Sequence, residues 1–218
     1  MINPHRCIYT SSYDRGLEHL LKIWPEVKKA VPDVTLDCYY GWQLFEMFYK
    51  DNPGSMSWME NIRTQLKQDG IIDHGRIPQD KLVEEYKTSG IFAYPTHFGE
   101  INCISAIKAQ SYGAIPIVVN YAALKETVQF GIKVNGDIYD KEVLNIYKEQ
   151  LIWALQHPQW QEEVRTPMMI WARQITWEAI VAQWSDVFNG KIIKPVIPSV
   201  EGKVKIVDGY GGEHEEKK

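Results

Sequence analysis

The sequence predicts an α/β fold: a Rossmann-like doubly wound parallel sheet of about six strands with a helical C-terminal extension. Three observations carry this expectation. Short β-rich runs alternate with helical periodicity six times along the chain. The run Ile115-Pro116-Ile117-Val118-Val119 is almost continuously apolar, as a strand covered on both faces must be. From about residue 140 onward the periodicity is helical.

In order, Arg6 to Ser11 reads as the first strand, ending in the polar loop Ser11-Ser12-Tyr13-Asp14. Leu17, Leu20, Leu21 and Trp24 then recur at helical spacing, with Pro25 expected to limit or kink the helix. Thr35 to Tyr40 is a second strand closed by Gly41; residues 42–55 are aromatic, then turn-rich, and take no clear assignment. A polar helix is expected over 57–68, a short strand and turn over 71–75, and a helix over 78–88 opened by Pro78. Gly90 to Tyr94 is a strand ending at Pro95, and 100–112 a helix with Ile101, Ile104 and Ile107 among small residues. The strand 115–119 is followed by a short helix near 122–129 and a strand at 131–134. Trp177, Ile180, Val181, Trp184, Val187 and Phe188 form an apolar stripe expected to pack in the core. The domain is taken as 1–190, with 191–218 an extended, mobile tail.

Composition narrows the functional classes. The chain has 218 residues and a formal net charge of −4, so it lacks the basic field of a dedicated nucleic-acid binder. No apolar run approaches the roughly 20 residues that span a bilayer, and the first residues show no signal-peptide pattern. Cys7, Cys38 and Cys103 stand singly in apolar runs and read as reduced core thiols. The expectation is a cytoplasmic protein without a transmembrane segment.

In a doubly wound sheet, ligands bind beyond the carboxyl ends of the strands, where strand order reverses. The first candidate loop, Ser11-Ser12-Tyr13-Asp14-Arg15-Gly16, offers hydroxyls and a guanidinium suited to phosphate at a helix start. The plainer alternative is that Ser12 or Asp14 caps the helix and Arg15 is a solvated charge. The second loop leads through Thr96 to Glu100, whose carboxylate can accept two sugar hydroxyls or simply favour a helix N-terminus. Lys108 lies a little over two turns further on, and alone reads as a surface lysine. Arg76 is another cation at a strand end, with a solvated role the simpler one. The six His and three Cys show no helical metal spacing, so no metal is expected. Neither a phosphate-loop pattern nor a nucleophile elbow occurs.

Together these stretches resemble the C-terminal, donor-binding domain of retaining GT-B glycosyltransferases, the glycosyl transferase group 1 family. The resemblance covers roughly residues 6 to 188. It rests on Tyr9 to Leu17 with Leu20-Leu21, on Gly75-Arg76-Ile77, on Tyr94-Pro95-Thr96, and most specifically on Glu100 to Pro116. The Trp177-Glu178 helix is similar to the family's C-terminal helix, which folds back on the other half of the enzyme. The family has two Glu separated by seven residues; here Glu100 stands at the first and Lys108 at the second.

The resemblance implies catalytic roles for Glu100, on the donor sugar, and Arg15, on its diphosphate. It implies that Ser11, Ser12, Ile101, Asn102 and Cys103 contribute to the donor site, the last two through helix-start amides. Arg76, Ile77 and Thr96 would lie by the base, and Lys108 would face the ribose. Lysine cannot accept ribose hydroxyls, but it can donate a hydrogen bond or reach a phosphate. The implied substrate is a nucleotide-diphosphate sugar, with no further cofactor and no metal, the leaving charge falling to Arg15 and helix amides. The implied partner is a separate N-terminal acceptor-binding domain, or a second copy of the chain. Three functions follow: a glycosyltransferase, a nucleotide-sugar binding module without turnover of its own, or a structural domain whose site has decayed.

Overall fold

The computed structural model describes residues 1–191 and 204–208. Among these, seven strands form one sheet: β1 (Asn3–Tyr9), β2 (Thr35–Tyr39), β3 (Ile71–Gly75), β4 (Ser89–Tyr94), β5 (Ile115–Val119), β6 (Gly131–Asn135) and β7 (Val204–Asp208). Their order is β3-β2-β1-β4-β5-β6-β7, and every neighbouring pair is parallel. The helices are α1 (Leu17–Ala30), α2 (Gln43–Tyr49), α3 (Pro53–Gln65), α4 (Gln79–Thr88), α5 (Ile104–Tyr112), α6 (Leu124–Thr127), α7 (Lys141–Gln156), α8 (Pro158–Ala172) and α9 (Trp177–Phe188). α1, α3 and α7 cover one face of the sheet, and α4, α5 and α8 the other. With both faces covered, every residue of β4 and β5 is buried, as the apolar run 115–119 requires.

α1 continues past Pro25 to Ala30, so Pro25 does not limit the helix. Proline removes the N–H that would bond the carbonyl four residues back, and Gln68 Nε2 donates to that carbonyl of Leu21 at 3.0 Å. The stretch 42–55 resolves into α2 and the start of α3, whose Asn52 cap accepts from the Ser55 amide at 3.0 Å. The helix expected from residue 100 begins at Ile104, after a loop that Glu100 shares. Part of the stretch read as a tail forms β7, paired with β6 from Gly131↔Val204 to Asn135↔Asp208. The rest of that expectation, residues 192–203 and 209–218, lies outside the described residues.

The α9 stripe is not core. No residue of this helix is buried, and Trp177 and Phe188 are 75% and 79% exposed. Its periodicity marks an apolar face, but among the described residues nothing covers that face.

Candidate functional site

Strand order reverses between β1 and β4, whose carboxyl ends carry the loops richest in polar residues. There a pocket of about 180 Å³ is lined by Thr10, Ser11, Arg15, Tyr40, Glu100, Asn102, Cys103, Ile104 and Ser105. Two glycine-permitted features bring the walls together. Gly16, the N-cap of α1, has φ 108°, and a Cβ there would sit 2.4 Å from the carbonyl oxygen of Pro95. The β1–α1 and β4–α5 loops therefore touch backbone to backbone, which sets Arg15 against Glu100. Gly41 (φ 78°) similarly turns the chain after β2, beside the amide of Arg76.

Arg15 Nη1 lies 3.3 Å from Glu100 Oε1, and the guanidinium stacks 3.9 Å above the Phe98 ring. The same carboxylate oxygen accepts from the Tyr94 hydroxyl at 2.8 Å. Ser11 Oγ is 3.0 Å from that hydroxyl and, since Tyr94 donates to Glu100, serves as the donor to it. Burial holds the Tyr94 phenol well above its ordinary range, so its proton stays available to the carboxylate. The other Glu100 oxygen has no hydrogen bond within this cluster.

The floor is the start of α5. Cys103 is its N-cap residue, and burial pushes the thiol up to about 12, which leaves it an unreactive wall. Neither Ser12 nor Asp14 caps α1: the Ser12 carbonyl accepts from the Arg15 amide (3.0 Å) and from the Tyr9 hydroxyl (2.8 Å). Asp14 keeps Oδ1 buried without a hydrogen-bond partner.

The predicted residues thus divide. Ser11, Arg15, Glu100, Asn102 and Cys103 come together in the pocket. Thr96 is fully buried, and its Oγ1 accepts from the Phe98 amide at 3.0 Å, so it shapes the loop from behind. Ile101 projects from the loop almost fully exposed, and Ser12 contributes only backbone to the turn. Arg76 is exposed beside the Gly41 turn, and Ile77 packs against the core. Lys108 lies one turn beyond Ile104 on the same face of α5, where Nζ donates to Gln79 Oε1 at 2.7 Å. Glu100 is not a first-turn acid of α5, which has none. Tyr94, Tyr40, Thr10 and Ser105 were not among the site residues expected from the sequence. Tyr94 carries the one usable signal: a hydroxyl at the carboxyl end of a central strand, where a side chain reaches the switch point.

The fold is that of the C-terminal domain of GT-B glycosyltransferases. It resembles the pneumococcal O-GlcNAc transferase GtfA, solved with UDP and GlcNAc, at TM-score 0.66 and 17% identity over 87% of this chain. It also resembles sucrose-phosphate synthase from Thermosynechococcus elongatus (TM-score 0.64, 17% identity, 85% of this chain). Anabaena HepE, solved with UDP and glucose, matches at TM-score 0.64 and 14% identity, again over 85% of this chain. The chain spans 36%, 45% and 48% of those three structures, respectively. No protein-family model and no curated protein matches by sequence. No helix among the described residues is long and apolar enough to cross a membrane.

Proposed function

We propose that this chain is the donor-binding part of a cytoplasmic glycosyltransferase that takes a sugar from a nucleotide-diphosphate donor and transfers it with retention. The observation that supports this is the convergence of Arg15 and Glu100 at the strand-order switch, in front of the start of α5. A cation and free helix N–H groups suit a diphosphate, and a fixed carboxylate suits sugar hydroxyls. Arg15 and the α5 amides would carry the charge of the departing diphosphate, and Glu100, held by Tyr94, would orient the sugar. Arg76 and Ile77 would flank the base, and Lys108 would meet the ribose by donation through Nζ. This reading needs no metal ion for the transfer step.

The pocket holds about 180 Å³, below the roughly 300–1,000 Å³ of sites that enclose a ligand of this size. A second surface must then close over the donor, and an N-terminal acceptor-binding domain is the partner proposed. The uncovered apolar face of α9, with Trp177, Val181 and Trp184, is where that half would rest. An assay of nucleotide-sugar hydrolysis by this chain, with and without the candidate N-terminal partner, tests the reading. Turnover that Glu100→Gln abolishes supports the transferase. Saturable donor binding with no turnover in either arm would instead make the chain a binding module.

A further inference from the structure

Behind the pocket, on the first turn of α1, a second cluster of side chains forms. Glu18 and His19 meet His97 of the β4–α5 loop, with one donor atom from each within 4.8 Å of the others. His19 Nε2 lies 3.2 Å from His97 Nδ1 and 3.8 Å from Glu18 Oε1. Trp58 Nε1 donates to the other carboxylate oxygen, Oε2, at 3.1 Å, which fixes Glu18 and leaves Oε1 turned to the imidazoles. The Tyr139 ring packs on both imidazoles, at 4.7 Å from His19 and 4.9 Å from His97. Glu18 and His19 line a pocket of about 250 Å³, separate from the Arg15–Glu100 pocket, with Lys22, Asn61, Gln65 and Tyr139 among its other walls.

We propose that Glu18, His19 and His97 bind a divalent transition-metal ion of the zinc class. Two imidazole nitrogens and one carboxylate oxygen are the donor set such ions take, with a fourth position left for water on the pocket side. Bonds of about 2.0–2.1 Å to a tetrahedral ion place neighbouring donor atoms about 3.4 Å apart. The two distances from His19, 3.2 and 3.8 Å, bracket that value and the whole set lies within 4.8 Å, so the Glu18 carboxylate completes the set by moving toward the imidazoles. The Trp58 hydrogen bond to Glu18 is the kind of outer contact that orients a metal-bound carboxylate.

Charge agrees with the donor set: of the charged side chains that act most on His19, Glu18 and Asp137 are acidic and Lys22 is basic, a balance that favours a divalent ion. The ligands come from residues three positions from Arg15 and Glu100 and from the neighbour of Glu18. The ion would pin the first turn of α1 to the β4–α5 loop and hold the two donor-site side chains in register, taking no part in sugar transfer. Ligands drawn from positions 18, 19 and 97 leave no motif spacing to read in the sequence.

The test uses tag-free full chain, stripped with chelator and titrated with Zn²⁺ by calorimetry and with Co²⁺ by visible absorption. The expected result is one ion per chain, with the d–d bands of a tetrahedral Co²⁺ site and a higher melting temperature when zinc is bound. His97→Ala abolishes both, and Glu18→Gln weakens binding tenfold or more while keeping the metal-free far-ultraviolet spectrum. Should His97→Ala fail to fold, the isosteric Glu18→Gln decides alone. No saturable binding at micromolar metal, or one-site binding that both variants leave unchanged, overturns the proposal. Nucleotide binding at the other pocket is measured independently, so either reading can fail without the other.

Discussion

Glu100 Oε1 accepts from both Tyr94 and Arg15, which leaves the other carboxylate oxygen for a ligand. Tyr94→Phe removes the donor that fixes this carboxylate and strands the Ser11 hydroxyl. It should cost about 1.5 kcal/mol in urea unfolding and weaken nucleotide-sugar binding more than nucleotide binding. Equal loss for both ligands would place Glu100 away from the sugar. A second polar group lies off the site, where Arg6 bonds Asp37 at 2.8 Å and Glu85 at 2.6 Å and also donates to Thr88. Burial alone would raise the Glu85 carboxyl, but hydrogen bonds from Arg6 and Tyr39 outweigh it and hold it below its ordinary range. An acid depressed in the folded state stabilises above its unfolded pKa of about 4.3, and that contribution is lost as pH falls through the folded value. Glu85→Gln should therefore flatten the acid limb of the stability profile below about pH 4.3; an unchanged limb would deny Glu85 that role.

At the scale of elements, the contact between the β1–α1 and β4–α5 loops depends on Gly16. Alanine there meets Pro95 backbone at 2.4 Å and must adopt a left-handed φ, whereas a Cβ at Gly99 meets nothing within 4 Å. Gly16→Ala should cost more than about 2 kcal/mol in chemical unfolding, and Gly99→Ala less than about 0.5 kcal/mol. The exposed face of α9 gives the opposite contrast. Trp184→Ser should leave the stability of this chain within about 0.5 kcal/mol, while Trp171→Ala in α8, buried beside Phe130, should cost about 3–5 kcal/mol.

The α9 face also shows where sequence reading stops. Periodicity reveals that Trp177, Val181 and Trp184 share a face, but not what that face meets. Pro25 is a similar case, because the glutamine that rescues the helix lies 43 residues away at Gln68. Val204–Asp208 was missed because five residues after a charged, Gly-containing stretch become a strand only through pairing with β6. Arg15 and Glu100 each had a plainer reading in the sequence, a solvated charge and a helix-terminus acid, and only the family resemblance singled them out; the fold brings them into one pocket. Tyr94 and Ser105 were not among the expected site residues, since hydroxyls at strand and helix ends are common and gain meaning only from what they face.

For the whole molecule, order β3-β2-β1-β4-β5-β6-β7 fixes one crevice, between β1 and β4, and the polar pocket opens there. Six of the seven strands follow from alternation in the sequence, and all seven run parallel. On the proposed function, this crevice binds a nucleoside diphosphate through Arg15. Thermal unfolding of the full chain against uridine, guanosine and adenosine diphosphates and their sugars, with chelator present, measures that binding. One base series should raise the melting temperature, with about 2.7 kcal/mol of stabilisation at 100 times its Kd. Arg15→Ala should abolish that shift while the ligand-free chain keeps a cooperative unfolding transition. No shift across the panel, or a shift that Arg15→Ala leaves intact, would contradict it.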